Sequence, residues 1–178
     1  SLKLKQKKLS YIYSGRELSL VYKKLEDGSK SVVNLLYPID NTTSIEIRKI
    51  NDDFIVKENI LKLNKKEVVV KSVIKDNLYN SAVKANIEPN IIVEFARIFG
   101  FEVDFQRDIR KGDEFEILFE RFTDDRGKKI KTGKILYAFL DINNQKIQLY
   151  RFGKKNNYDY YNLDGKSISK ALMKTPIN

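Results

Sequence analysis

The chain contains no histidine and no cysteine. Without cysteine there is no disulfide and no thiolate nucleophile. Without histidine the usual general base of a serine or cysteine triad is gone. The common zinc sites go with it, because their ligands are histidine and cysteine, and only carboxylates remain as charged metal ligands. Such a set suits Mg²⁺ or Ca²⁺ better than Zn²⁺. Long apolar runs are missing too. No stretch approaches the roughly 18 residues needed to cross a bilayer, and no secretory apolar core opens the chain. The chain starts at Ser1, which reads as a trimmed or processed end and leaves room for a removed signal or membrane anchor.

What is present is a chain of 178 residues, 42% hydrophobic, enough for one ordinary domain or two small ones with real cores. The formal net charge of +10 would suit nucleic acid, anionic lipid or an acidic wall polymer. Lysine, asparagine and isoleucine are abundant together, however, and share A/T-rich codons. The lysines are also spread along the chain among acids, as in KENILKLNKKE. No helix rich in Arg or Lys stands out as a groove reader, so no nucleic-acid partner is expected.

The first 75 residues read as strands. KLSYIYS, ELSLVYKKL, KSVVNLLYPI, TSIEIRKI and DFIVKENI are rich in Val, Ile, Leu and Tyr. Turn signals separate them: Ser14-Gly15, Asp27-Gly28-Ser29, Asp40-Asn41 and Asn51-Asp52. In TSIEIRKI the residues Ile45, Ile47 and Ile50 alternate with polar ones for most of the run, as a half-buried strand should. KKEVVVKSVI is a further strand leading out of this region.

The period then changes. Asp76 is placed to cap a short helix with Leu78, Tyr79, Ala82 and Val83 on one face, ended by Asn86. Pro89 suits a first helical turn, and Ile91, Ile92, Phe95, Ala96, Ile98 and Phe99 form a wide apolar stripe. Gly100 is the expected C′ stop. After Gly112, DEFEILFERF alternates Phe115, Ile117 and Phe119 against Glu114, Glu116 and Glu120. KILYAFLDI, KIQLYRF and YDYYNL follow, with turns at Asp124–Gly127, Asn143-Asn144, Lys155-Asn156 and Asp164-Gly165. Gaps this short forbid parallel crossovers. The fold class expected is α+β: a β-rich N-terminal module over residues 1–70, then a helical hairpin packed on an antiparallel β-meander over 71–178.

Several stretches imitate chemical motifs. GKKIKTGK, from Gly127 to Lys134, looks like a phosphate loop, but five residues separate its glycines and Ile135 stands where Ser or Thr belongs. DINNQK, from Asp141, starts like a calcium loop but has Lys146 at the glycine position and Phe152 at the bidentate glutamate position. Tyr158, Tyr160 and Tyr161, beside acids in YDYYNLDG, are candidates for stacking on a sugar. In FEVDFQRDIRKGDEFEILFE, Asp104, Asp108 and Asp113 look like the acids of an active site. A structural reading explains them better. Arg107 and Arg110 can hold the carboxylates, and Lys111-Gly112-Asp113 is a turn that launches a strand.

The order of these features carries a family resemblance. Leu78-Tyr79, Ile98-Phe99, Asp104-Phe105, Arg107-Asp108, Gly112-Asp113, Phe115 and Glu120 form the pattern, with GKILYAFL, Tyr160-Tyr161, Asp164-Gly165-Lys166-Ser167 and the closing ALMKTPIN. Together they resemble the region just upstream of the catalytic domain in lysostaphin-type (LytM-type) zinc metallopeptidases, the murein endopeptidases of bacteria. The resemblance covers about residues 70–178; the earlier residues match only in general character. That family binds zinc through a His-x-x-x-Asp motif and a later His-x-His motif, beginning after the Thr-Pro that here is Thr175-Pro176. No such ligand exists in this chain, so zinc is expected only in a catalytic domain missing from it. The resemblance implies a non-catalytic accessory region of a cell-wall endopeptidase, in the bacterial envelope or periplasm. Its expected partners are the protein's own downstream peptidase domain and peptidoglycan. A stand-alone peptidoglycan- or glycan-binding module is the alternative. Asp104, Arg107, Asp108, Arg110 and Asp113 then read as a structural corner between the second helix and the meander.

Overall fold

The computed structural model describes residues 15–51, 53–100, 102–143, 145–154 and 157–168. The expected strand KLSYIYS, the turn positions Asp52, Asn144, Lys155 and Asn156, Phe101 and the closing ALMKTPIN lie outside the described residues. The architecture is α+β: a four-stranded antiparallel sheet, two short helices, then a five-stranded antiparallel sheet. Two compact units divide the chain. One takes it through Asn64 together with Asp124–Ile130; the other takes Lys65–Thr123 and the chain from Lys131.

In the first unit, β1 (Ser19–Lys24), β2 (Lys30–Pro38), β3 (Thr43–Ile50) and β4 (Asp53–Ile60) pair in sequence order. The register places Leu35 opposite Ile47 and Tyr37 opposite Ile45, and a bulge shifts β1 between Val21 and Tyr22. The hairpin turns are built by aspartates. Asp27 accepts from the Ser29 N–H at 2.8 Å, and Asp40 from the Thr42 and Thr43 N–H groups at 2.7 and 2.8 Å. Gly28, at φ +83°, supplies the left-handed position that the first of these turns requires. Tyr37 and Ile45 are buried, and Arg16 donates to the Tyr37 hydroxyl and the Pro38 carbonyl while lying over the Tyr37 ring.

The opposite face of this sheet carries a polar cluster. Glu46 accepts from Arg48 at 2.7 Å, Asn34 at 3.0 Å and Asn59 at 3.3 Å, so one carboxylate on β3 links all three of β2, β3 and β4. These donors, Arg48 first and then Asn59 and Asn34, bring the Glu46 carboxyl down to about 2. Ile50, expected on the buried side of TSIEIRKI, is exposed instead. It lies five positions after Ile45, an odd step that puts it on the other face.

The second unit holds β5 (Asn64–Val73) from Lys65 on, α1 (Leu78–Lys84), α2 (Pro89–Phe99), β6 (Glu114–Thr123), β7 (Lys129–Ile142) from Lys131 on, β8 (Gln145–Lys154) and β9 (Asn157–Tyr161). The strands pair in the order β5-β6-β7-β8-β9. Ion pairs Lys65–Glu120 at 2.9 Å and Lys71–Glu114 at 3.0 Å mark the antiparallel register of β5 on β6. The Ile74 N–H donates to Asp113 and the Gly112 N–H to Ile74, closing the sheet across the helical insertion.

The helices form for local reasons and stay for tertiary ones. Asn77, not Asp76, caps α1: its side chain accepts from the Asn80 N–H at 2.8 Å, while Asp76 pairs with Lys84. The buried face of α1 is Leu78, Ser81 and Ala82, whereas Tyr79 and Val83 are exposed. Ser81 goes inside because its hydroxyl accepts the Lys75 N–H at 3.0 Å, which leaves no unsatisfied polar atom there. Asn86 does adopt the left-handed conformation that ends α1, at φ +65°. Gly100 differs from its expected role. It is right-handed, at φ −61°, and a Cβ on it would lie 3.1 Å from the Ala96 carbonyl oxygen. Its value is room for close approach and not a left-handed turn.

The apolar stripe of α2 faces the sheet. Ile91, Ile92, Phe95, Ile98 and Phe99 are buried together with Phe115, Ile117, Phe119, Leu140 and Leu149. Phe95 is the centre, 4.8 Å from Phe99 and 6.1 Å, edge-on, from Phe115. The loop between the helices is tied to β6 by a two-pronged ion pair. Arg121 Nε lies 2.8 Å from Glu88, and Nη2 donates to Glu88 at 2.9 Å and to the Asn86 carbonyl at 3.2 Å. Both side chains are largely withdrawn from water, which makes this pair directional and costly to break.

Two outcomes follow. Phe95→Ala removes a fully buried ring from the second unit and should destabilise it by roughly 3–5 kcal/mol, read as a lower denaturant midpoint at unchanged m-value. For the first unit, the depressed Glu46 carboxyl gives stability that is fully present above its unfolded value of 4.5 and lost as pH falls through about 2. Two-dimensional NMR of the native chain should show first-sheet amides losing dispersion over that window, and Glu46→Gln should flatten the dependence. Unchanged acid behaviour in the variant would refute the role given to Glu46.

Candidate functional site

The acids that first suggest an active site sit in the segment joining α2 to β6. Glu102 and Val103 N–H groups still bond back to Phe99, and Val103 is buried with Phe105 and Ile109 packed against the core. That pinning forces a tight backbone path, and the carboxylates serve it. Asp108 accepts the Asp104 N–H at 2.7 Å, Asp104 accepts the Gln106 N–H at 3.0 Å, and Asp113 accepts the Arg110 N–H at 2.6 Å. Arg107 is mostly exposed, with its Nε 3.6 Å from Asp104. Arg110 joins through its backbone. Each carboxylate thus spends an acceptor on a local N–H, which is turn and cap chemistry. Among the described residues no group of three His, Cys, Asp or Glu side chains is placed to hold a metal ion. The carboxylate-only donor set does not fit zinc.

Tyr158, Tyr160 and Tyr161 do not share a face. Tyr160 is buried against the helical side, and its hydroxyl donates to the Ile135 carbonyl at 3.0 Å. Burial, with Glu94 nearby, pushes its phenol well above the usual range. Tyr158 lies edge-on to Tyr160, and the Arg151 guanidinium stacks 3.8 Å over its ring. Tyr161 points to the opposite side of the sheet, as strand alternation requires.

On that opposite side, Tyr161 has company that composition alone does not reveal. The register sets Tyr137 of β7 opposite Tyr150 of β8, and Tyr150 opposite Tyr161 of β9. Cross-strand partners share a face, so three tyrosines form a row across three strands. Tyr137 and Tyr150 rings are 5.0 Å apart, and Phe152 meets Tyr161 edge-on at 6.2 Å. Phe152 is 76% exposed. Burial raises the Tyr137 phenol, with Tyr150 and Glu116 adding to it. A separate cleft of about 440 Å³ opens between the start of β8, Glu102 and the turn after β9. Its lining mixes polar Gln145, Lys146 and Asp164 with apolar Ile147 and Leu163, and Asn162 Oδ1 there accepts the Lys166 N–H at 2.9 Å. The alternation of KILYAFL and KIQLYRF carried the signal for Tyr137 and Tyr150, but their alignment needed the register.

No family model matches the chain. It is 32% identical over 92 residues to the peptidoglycan DD-endopeptidase ShyC of Vibrio cholerae serotype O1 (strain ATCC 39315 / El Tor Inaba N16961), which is 52% of this chain and 21% of that protein. The fold is shared with Helicobacter pylori Csd3 in its hexagonal crystal, at TM-score 0.55 and 21% identity over 81% of this chain and 39% of that one. The orthorhombic crystal of Csd3 gives 0.60 and 20% over 82% and 39%. A zinc containing peptidase from Vibrio cholerae gives 0.59 and 17% over 93% of this chain and 49% of that one. The chain thus spans about a fifth of ShyC and less than half of each of these solved chains. Over that partial stretch the chain is similar in sequence to a peptidoglycan DD-endopeptidase, and it shares its fold with part of each of these solved chains.

Proposed function

We propose that this chain is a non-catalytic accessory region of a bacterial cell-wall zinc metalloendopeptidase, one that covers or positions the groove in which peptide cross-links of peptidoglycan are cut. The observation that carries the reading is the 32% identity to a peptidoglycan DD-endopeptidase, in a chain with no histidine. Peptidase zinc sites are built largely on histidine, and this chain has neither histidine nor cysteine, so the chemistry is assigned to another part of the protein. Zinc belongs there too. The partners are then that peptidase domain and the peptidoglycan it meets, in the cell envelope.

Under this reading the chain has two working parts, residues 1–70 as a β-rich module and 71–178 as the helical hairpin with its meander. The corner of Asp104, Arg107, Asp108, Arg110 and Asp113 is structural. Its carboxylates hold a turn against the core, so that α2 and β6 meet at a set angle. Rigidity is what such a region needs, because a cover restrains a groove only if its own shape does not yield.

The test compares the protein that carries the peptidase with a version lacking residues 1–178, on purified sacculi and in cells. Loss of the accessory region should change hydrolysis several-fold or displace the enzyme from its normal position. Equal activity together with equal localisation would rule the reading out.

A further inference from the structure

The second sheet ends differently at its two edges. Beyond β9 the chain turns back, and Tyr161 bridges to Ser167. At the other edge, β5 has a neighbour on one side only among the described residues. It is a long strand, Asn64–Val73, so its outer rim is a row of backbone N–H and C=O groups open to another strand. Such rims are commonly guarded by lysine. Here Lys65 and Lys71 lean the other way, onto Glu120 at 2.9 Å and Glu114 at 3.0 Å, both on β6.

The direction of each backbone group follows from one anchor. Ile74 gives its N–H to Asp113 and accepts that of Gly112, so both of its groups face the β6 side. Ile74 is buried, Val68 and Val70 pack against the same core, and side chains alternate without a break from 68 to 74. Backbone groups alternate with them. Those of Lys65, Glu67, Val69, Lys71 and Val73 therefore point outward, and the same residues are exposed.

A partner strand must then meet odd positions with odd positions. Of the registers that pair two copies of β5 over nearly their whole length, one suits the charges. With Val69 opposite Val69 on a two-fold axis, Glu67 lies opposite Lys71 of the second copy, and Lys71 opposite its Glu67. On the core side Val68 comes opposite Val70, extending the apolar layer across the junction. Sliding the copies by two positions sets Lys65 against Lys71 one way and Lys71 against Val69 the other, and either slide loses both ion pairs. Matching Lys65 with Glu67 would also suit the charges, but it would use only residues 64–68 of the strand. The stretch EVVVK is thus complementary to itself when run antiparallel.

We propose that β5 is a docking edge for a second copy of this chain, the two β5 strands pairing antiparallel about Val69 and joining two five-stranded sheets into one. Each outward residue then exchanges both backbone hydrogen bonds with its opposite number, about ten across the two-fold. The Glu67–Lys71 pairs set the register more than the affinity. This contact goes beyond the accessory-region reading and does not rest on it.

Sedimentation equilibrium of the 178-residue chain, from micromolar to millimolar concentration, is the test. A reversible monomer–dimer equilibrium is expected. Hydrogen exchange at the dimeric end should newly protect the amides of Glu67, Val69 and Lys71, while those of Val68 and Val70, already turned to β6, change little. Val69→Pro removes an outward N–H that the sheet does not use, so it should abolish the dimer and leave the melting temperature near that of the parent chain. Glu67→Lys and Lys71→Glu should each weaken self-association about tenfold or more, by setting like charges opposite one another. Mixed in equal amounts, these two variants should associate again, because each then meets the opposite charge. A chain that stays monomeric at millimolar concentration would overturn the proposal, as would a dimer that Val69→Pro and Glu67→Lys both leave intact. Failure of the mixture to restore association would overturn it too. A dimer dissolved by Phe152→Ala and untouched by Glu67→Lys would place the contact on the aromatic row, and the proposal would be wrong. Should Val69→Pro fail to fold, the charge variants and their mixture decide the matter alone.

Discussion

Burial of the α2 stripe against the second sheet is the constraint from which the rest of that unit follows. An 11-residue helix is marginal by itself in water. A sheet face carrying Phe115, Ile117, Phe119, Leu140 and Leu149 cannot be left wet. Each solves the other's problem, and Phe95, touching both Phe99 and Phe115, is where the two solutions meet. The Arg121–Glu88 pair adds direction to what hydrophobic burial leaves free, because a guanidinium forked onto a carboxylate fixes the loop between the helices.

The first unit solves its stability differently. Few of its large apolar side chains are buried, and Tyr37 and Ile45 are its fully covered ones among the described residues. Its cross-strand order leans on turns made by Asp27 and Asp40 and on the Glu46 cluster, whose three donors come from three strands. Polar ties of this kind depend on charge state, which hydrophobic packing does not.

The acidic corner and the tyrosine row show how little a residue type says about its use. Asp104, Asp108 and Asp113 sit within ten residues of one another, yet their oxygens are directed at backbone N–H groups and form no metal cluster. Tyrosines widely separated in the chain, at 137, 150 and 161, come together through strand pairing. Sequence proximity suggested a site where there is a turn, and strand register assembled a surface from residues far apart in sequence.

The alternation of DEFEILFERF, the stripe of α2 with Pro89 at its start, and the Asp-Gly turns were all legible from the chain, because side-chain period and turn stereochemistry are local properties. The missing histidines were equally decisive, since no fold can supply a ligand that the chain does not contain. Other features needed the tertiary structure. Ser81 displaced Tyr79 and Val83 from the buried face of α1 because a neighbouring N–H was there to satisfy it. Asn77 took the cap while Asp76 went to Lys84. Gly100 was needed for space and not for its left-handed freedom. Tyr160 and Tyr161, adjacent in the chain, were sent to opposite faces, one into the core and the other into the aromatic row. The chain sets the period with which side chains alternate; which side of that period is covered, and which partners stand opposite, depends on long-range packing that no local pattern encodes.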